Sequence, residues 1–290
     1  MSGLKAIKKR IGSVKNTQKI TRAMKMVAAA RLRKAQQRIT ELRPYAVKTA
    51  EMLASVASRV EEGEDIHPLL VKREEKKVTL VVITSDRGLA GAFNASICKR
   101  AFQMWKEMEA AGKTVSFVTA GRKGADFLKR RDAPIARNFA EIFDGLDSVK
   151  AGELGRYLID RYTSGESDSA YLIYNEFKSA ITQIVRDEAM LPVSTGDGTE
   201  ASGTGEFIYE PDRDGLLNRL LPMYVETQCF RALLESVASE HGARMTAMDN
   251  ATRNASDMID KLTLRYNRAR QAAITTELME IIGGAEALKG

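Results

Sequence analysis

The sequence predicts a long antiparallel coiled coil of the N- and C-terminal helices plus a small α/β domain. Three observations carry this. A 3/4-spaced seam runs through the first sixty residues, a second stretch without proline runs from Met223 to Ile282, and the middle alternates β-branched runs with helical patterns. Such alternation is the pattern of a largely parallel sheet with crossover helices.

The first seam reads Leu4, Ile7, Ile11, Val14, Gln18, Thr21, Lys25, Ala28, Leu32, Ala35, Ile39, Leu42, Ala46, Thr49, Leu53, Val56 and Val60, with thirteen of these seventeen positions apolar. A heptad repeat of this length describes a coiled coil rather than a surface helix. Residues 4–60 would span roughly 85 Å if continuous. Pro44 removes a backbone donor and is expected to kink the helix. The seam turns polar at Gln18, Thr21 and Lys25 while apolar side chains gather at Ile20, Met24, Met26 and Val27. Two readings stay open: a register shift against the same partner helix, or an apolar face turned outward to another protein.

Residues 61–76 read as a charged connector, with the acid pairs Glu61-Glu62 and Glu74-Glu75 and His67 taken as solvated. Val78 to Thr84 is a continuous β-branched run, expected as a buried strand. The turn Ser85-Asp86-Arg87-Gly88 follows, with Ser85 and Asp86 expected to cap the next helix, which should end near Ala111 with Gly112 beyond it. Thr114–Thr119 is a second strand. Gly121 opens a short helix to Arg131, Ser148–Tyr162 is helical, and Ala170–Glu176 and Ile181–Leu191 are further strands. The Gly- and Ser-rich run 194–205 is a flexible loop.

The C-terminal helix should place Leu234, Val237, His241, Met245, Met248, Ala255, Ile259, Leu262, Tyr266, Ala269 and Ala273 on its inward stripe, with His241 a seam residue. Gly283 and Gly284 are expected to end it. Two rods of similar length at opposite ends of the chain suggest one antiparallel pair, with the middle domain at one end. The predicted domains are therefore a coiled-coil helix at 1–60, a Rossmann-like α/β domain at 77–191, a flexible loop with the segment that follows it at 192–211, and a second coiled-coil helix at 212–290.

Catalysis finds little support. Gly88 and Gly91 are spaced GxxG, short of the three glycines of a dinucleotide fingerprint. Gly112-Lys113-Thr114 lacks the earlier phosphate-loop glycine, Glu107 standing in its place, and it follows a helix and precedes a strand, the reverse of the required order. The two cysteines, Cys98 and Cys229, lie far apart and outside any metal spacing, so they read as ordinary thiols. No cofactor is expected. No run reaches the ~18 apolar residues of a membrane span, and the N-terminus lacks an apolar signal core, so export is not expected.

Charge is unevenly distributed. Residues 1–43 hold thirteen Lys or Arg against one acid, Glu41, while the whole chain is only +7. Such an arm suits nucleic acid, an anionic membrane or an acidic protein surface. Residues 1–44 contain no aromatic for base stacking or for an interfacial anchor. That favours an acidic protein. The competing classes are a free-standing coiled-coil adaptor that binds nucleic acid or membrane, and a nucleotide-binding α/β enzyme.

Three segments add a resemblance: IGSVKNTQKITRAMKMVAAARLRKAQ (Ile11–Gln36), TSDRGLAGAFN (Thr84–Asn94) and the run Ala243–Leu288 beginning ARMTAMDNATRNAS and ending MEIIGGAEAL. They resemble the gamma subunits of F-type ATP synthases in order, spacing and total length. The cysteine-bearing regulatory insertion of chloroplast members is missing. The resemblance implies a rotor shaft. Its coiled coil would turn inside a ring of three alpha and three beta subunits, and its α/β domain would bind the epsilon subunit and rest on the c-ring. Proton flow would turn the shaft and drive ATP synthesis or hydrolysis at the beta subunits. It implies no catalytic residue in this chain, no nucleic-acid partner, and membrane association only through the complex, as a peripheral protein on the cytoplasmic face of the bacterial inner membrane. It assigns Met24 and Lys25 to an acidic lever loop of beta. Arg270 and Gln271, with Thr275 and Glu277, are assigned to a polar catch loop of beta. Phe207, Tyr209 and Glu210 would form a foot on the c-ring, and Ile281, Ile282, Ala285, Ala287 and Leu288 an apolar tip in a bearing.

Overall fold

A computed structural model describes residues 2–57, 67–194 and 213–287. Two long helices dominate it, α1 (Ser2–Ala57) and α5 (Arg213–Ala287). Between them in sequence lie β1 (Lys77–Ile83), α2 (Phe93–Ala110), β2 (Thr114–Ala120), α3 (Arg122–Lys129), β3 (Ile135–Phe139), α4 (Ser148–Thr163), β4 (Ser169–Phe177) and β5 (Gln183–Leu191). The chain divides into two compact units, residues 1–28 with 245–290, and residues 29–244.

In the first unit the two helices pair in antiparallel fashion: Thr21 meets Thr252 and Lys25 meets Asp249, so one number rises as the other falls. The seam residues Leu4, Ile7, Ile11, Val14, Gln18 and Lys25 are half-buried, and Thr21 and Ala28 are buried. Met248, Ala255 and Leu262 are buried on α5, with Ile259, Tyr266, Ala269 and Ala273 half-buried. The heptad register therefore runs straight through the polar stretch, without a shift. Ile20, Met26 and Val27 remain more than half exposed beside it. Their exposure and the polar seam coexist because the polar layer finds its own hydrogen bonds inside the pair.

The second unit is built on a five-stranded sheet ordered β3-β2-β1-β4-β5. The β1–β2, β1–β4 and β2–β3 pairs are parallel, and β4–β5 is antiparallel. The apolar run of β1 is buried on both faces, and its alternation sorts two cores. Val81 and Ile83 face one that takes in Leu154, Leu158 and Tyr162 of α4 and Leu221, Val225, Cys229 and Leu233 of α5. Leu80 and Val82 face the other, with Ile97, Ala101 and Trp105 of α2 and Leu128 of α3. Trp105 stands edge-on to Phe117 at 5.4 Å between ring centres, a favourable aromatic geometry. α4 approaches α5 through glycines: a Cβ on Gly155 would lie 3.0 Å from the Glu226 backbone.

α1 runs on through Pro44, where a kink is expected, and α5 runs on through Pro222. Other expectations are corrected. α5 also continues past Gly283 and Gly284 to Ala287. A glycine stops a helix by turning left-handed, and neither of these has a positive φ. The edge strand β3 went unread because its exposed Ala136, Arg137 and Asn138 hide any alternation. Asp86 does not cap α2. Its Oδ1 accepts from the Arg122 backbone N–H at 3.0 Å, so it caps α3, while Ala92, the residue before α2, supplies no side-chain cap. Ser85 is tied to Asn94 and to the Arg87 carbonyl. His67 is half-buried rather than solvated; its Nδ1 accepts from Leu69 N–H at 3.2 Å, and burial lowers its pKa. Glu75 is half-buried too, taking hydrogen bonds from Tyr171 Oη at 2.7 Å and from Lys113. Val60, Glu61, Glu62, the loop 195–205 and Leu288 lie outside the described residues.

Candidate functional site

Two sets of predicted contact residues fall in the two-helix unit. Met24 is half-buried on α1. Lys25 sits on the seam with its Nζ 2.5 Å from Asp249 Oδ1. Arg253 reaches the other oxygen of Asp249 at 3.0 Å. The Lys25 hydrogen bond holds the Asp249 carboxyl below its usual pKa. Lys25 is thus engaged within the chain, and Asp249 is the partner that the sequence reading missed. The heptad places another polar residue one turn on, Thr252, whose hydroxyl lies 2.8 Å from that of Thr21. A signal was available: a threonine stands where the spacing from Met248 to Ala255 demands a seam residue.

Arg270, Gln271, Thr275 and Glu277 are all exposed on α5. Consecutive helical residues point about 100° apart, so Arg270 and Gln271 address different directions from one level. The structure does not bring this set near Met24 and Lys25. Lys25 lies opposite Asp249, so Arg270 stands some twenty residues, or roughly 30 Å, further along the helix. Phe207, Tyr209 and Glu210 lie outside the described residues.

Beyond Ala273 no described side chain of α5 is buried. Ile274, Leu278, Met279, Ile281 and Ile282 are each more than half exposed, and Ala285 is exposed as well. Apolar side chains spread round a helix in this way call for a protein or lipid surface to cover them. No described helix is long and apolar enough to cross a membrane.

Chemistry internal to the chain is sparse. Among the described residues no cluster of His, Cys, Asp or Glu could hold a metal ion. Both cysteines are buried and free; burial pushes the Cys98 thiol to about 11 and the Cys229 thiol to about 12, which leaves them protonated and inert. His241 is buried on its stripe, with Nδ1 3.4 Å from Arg244, and burial with the charges of Arg244 and Arg31 lowers its pKa to about 4.

The family model for ATP synthase matches residues 3–288. The ATP synthase gamma chains of Sorangium cellulosum and Geotalea uraniireducens are each 53% identical over the full length of both chains. The chain belongs to the ATP synthase gamma-chain family. It is therefore a subunit of an enzyme complex. Within that family its fold is also found in solved structures. The central stalk and c-ring structure of the Tetrahymena thermophila mitochondrial ATP synthase has a chain that is 28% identical, with a TM-score of 0.64, 80% of this chain covered and 99% of that one. A chain of the Euglena gracilis mitochondrial ATP synthase matches at a TM-score of 0.69 and 20% identity, covering 99% of this chain and 95% of that one, a likeness of fold.

Proposed function

We propose that this gamma-chain family member is the central rotor shaft of an F-type ATP synthase. It couples proton flow through the c-ring to ATP synthesis and hydrolysis by rotation. The observation that carries the reading is the uncovered end of α5, residues 274–285, on a paired-helix stalk. An apolar helix end that no described residue of the chain covers fits a bearing in which it slides against other subunits. The sequence matches support the same role, since the bacterial relatives are gamma chains and the Tetrahymena neighbour comes from a central stalk.

The partners follow from this role: three alpha and three beta subunits around the two-helix unit, with the epsilon subunit and the c-ring at the α/β unit. The chain is non-catalytic, and the nucleotide chemistry belongs to beta. It works as a peripheral protein on the cytoplasmic face of the bacterial inner membrane. Met24, beside the exposed Ile20, Met26 and Val27, meets the lever region of beta. The Lys25–Asp249 pair lies behind it, so Lys25 contributes through a charge already partnered. Arg270 and Gln271, with Thr275 and Glu277, take up and release each beta subunit in turn. Arg supplies a forked donor and Gln both a donor and an acceptor. Such contacts are made and broken every turn, so each adds little net affinity. Phe207, Tyr209 and Glu210 form the foot on the c-ring.

The test is the double variant Arg270→Ala with Gln271→Ala in the purified complex. It should assemble with normal subunit content and hydrolyse ATP about tenfold more slowly, the loss of roughly 1.4 kcal/mol of transition-state stabilisation. Full activity with normal assembly would remove the catch assignment. Failure of the native chain to copurify with alpha and beta would remove the rotor reading itself.

A further inference from the structure

In an open α/β sheet, ligands bind outside the carboxyl ends of the strands, where successive connections leave in opposite directions. Here that point lies between β1 and β4. From β1 the chain crosses to β2 and β3 on one side, and from β3 it returns to β4 on the other. In this protein the crevice is already filled. Ser239 of α5 is fully buried there, and its Oγ donates to the Asn175 carbonyl at 3.0 Å. The Asn175 side chain in turn donates to the Phe93 carbonyl at 3.3 Å, linking the end of β4 to the start of α2. Gly242 lies so close to the β4–β5 hairpin that a Cβ on it would stand 3.3 Å from both Ala180 Cα and Phe177. Ala243 packs into the same core as Val82 and Ile173. Arg244 then reaches the turn that follows β1, donating to the carbonyls of Gly88 at 3.1 Å and Arg87 at 3.4 Å. Its guanidinium is held by Glu240, one turn back on α5, at 2.6 Å, and both side chains are nearly buried.

We infer that residues 239–244 of α5 occupy the ligand crevice of the sheet as a mechanical joint, and that Arg244 is the positioning residue that fastens the turn 85–91 to the helix. This rests on the rotor reading. A helix lying against one face of a sheet can roll on it. A helix seated in the crevice is held both by the end of β4 with its hairpin and by the turn after β1. That geometry resists turning of the helix relative to the sheet, which is the load a rotor carries. The turn itself needs holding, because Leu89 and Gly91 have φ of 64° and 57° and no regular ladder supports them. One arm of the guanidinium, Nη2, donates to two successive carbonyls while the other, Nη1, is held by Glu240.

The test uses membranes holding the complete ATP synthase, in which ATP hydrolysis and ATP-driven proton pumping are read together. Hydrogen exchange of the turn amides is measured on the purified complex. Arg244→Ala should raise exchange over residues 87–91 by roughly tenfold, through local opening. It should also cut pumping per ATP hydrolysed severalfold. Glu240→Gln keeps an acceptor for Arg244 and should retain most of the pumping. Arg244→Lys keeps the charge but not the fork and should fall between; it also serves where Arg244→Ala fails to assemble. Unchanged exchange in the turn would overturn the fastening role. Faster exchange with an unchanged pumping-to-hydrolysis ratio would overturn the joint. Neither outcome would touch the rotor reading, which instead fails if the native chain does not assemble with alpha and beta.

Discussion

Gly121 sits where the ends of β1 and β2 meet, and replacing it with alanine should strongly destabilise the α/β unit. Its φ is +92°, and an added Cβ would stand 2.2 Å from the Thr84 carbonyl oxygen and 2.8 Å from its carbon. The obstacle is backbone, so no rotamer change relieves it. To reach even the 3.0 Å that real Cβ contacts respect, Thr84 and Gly121 must part by at least 0.8 Å. That strains the Thr84 N–H bond to the Ala120 carbonyl, now 2.8 Å, and the Gly121 N–H bond to Phe139, now 3.3 Å. The disfavoured backbone region costs about 1–3 kcal/mol, and two weakened ladder bonds add about 1 kcal/mol each. A loss of about 4 kcal/mol is expected, a large part of the roughly 5–15 kcal/mol that holds a domain. Urea denaturation followed by the fluorescence of Trp105 reads this, because that single tryptophan packs on Phe117 of β2. Two controls separate the clash from the loss of glycine as such. Gly88→Ala meets nothing within 4 Å and carries no positive φ; it should stay within about 0.5 kcal/mol of the parent. Gly112→Ala also meets open space but has φ +76°, so it should lose roughly 1–2 kcal/mol for its left-handed backbone alone. If Gly121→Ala destabilised no more than Gly112→Ala, the steric argument would be refuted.

Two further outcomes test the helix pair and the buried histidine. Thr21→Val alone should cost the pair about 1 kcal/mol, because Thr252 loses its cross-helix partner; Thr21→Val with Thr252→Val should recover most of that, and a double-mutant cycle without coupling would show the 2.8 Å contact to be idle. The folded-state pKa of His241 lies at about 4, below its ordinary 6.5, so the unfolded chain binds more protons between those values. Its contribution is present above pH 6.5 and is lost as the pH falls toward 4, up to about 3 kcal/mol in all. Burial raises the pKa of neighbouring Glu240, with Arg244 opposing, and its linkage runs the other way. The decisive comparison is therefore between parent and His241→Gln: denaturation midpoints from pH 4 to 7 should show a flatter acid limb in the variant, and parallel curves would exclude the linkage.

Periodicity made the helices legible. The heptad positions written from Leu4 to Leu53 are the positions that the structure buries or half-buries, through Gln18, Thr21 and Lys25, because a coiled-coil seam is a local property of spacing. The strands of the sheet core were legible for a related reason: a β-branched run such as Val78–Ile83 can satisfy itself only when both faces are covered. Arg270 and Gln271 are assigned by resemblance alone, and the structure adds that they are exposed.

What only the tertiary structure decided concerns partners distant in sequence. Nothing near Asp86 says that it caps α3 rather than α2; the assignment follows from parallel pairing, which sets the end of β1 beside the start of α3 after β2. Nothing near Lys25 names Asp249, more than two hundred residues away. The same holds for Ser239, Gly242 and Arg244. Each is an unremarkable residue on a helix until the strand order places the ends of β1 and β4 against it. Spacing along the chain sets which face a residue presents. Which atoms meet that face depends on the closure of segments far apart in sequence, and only the folded packing specifies it.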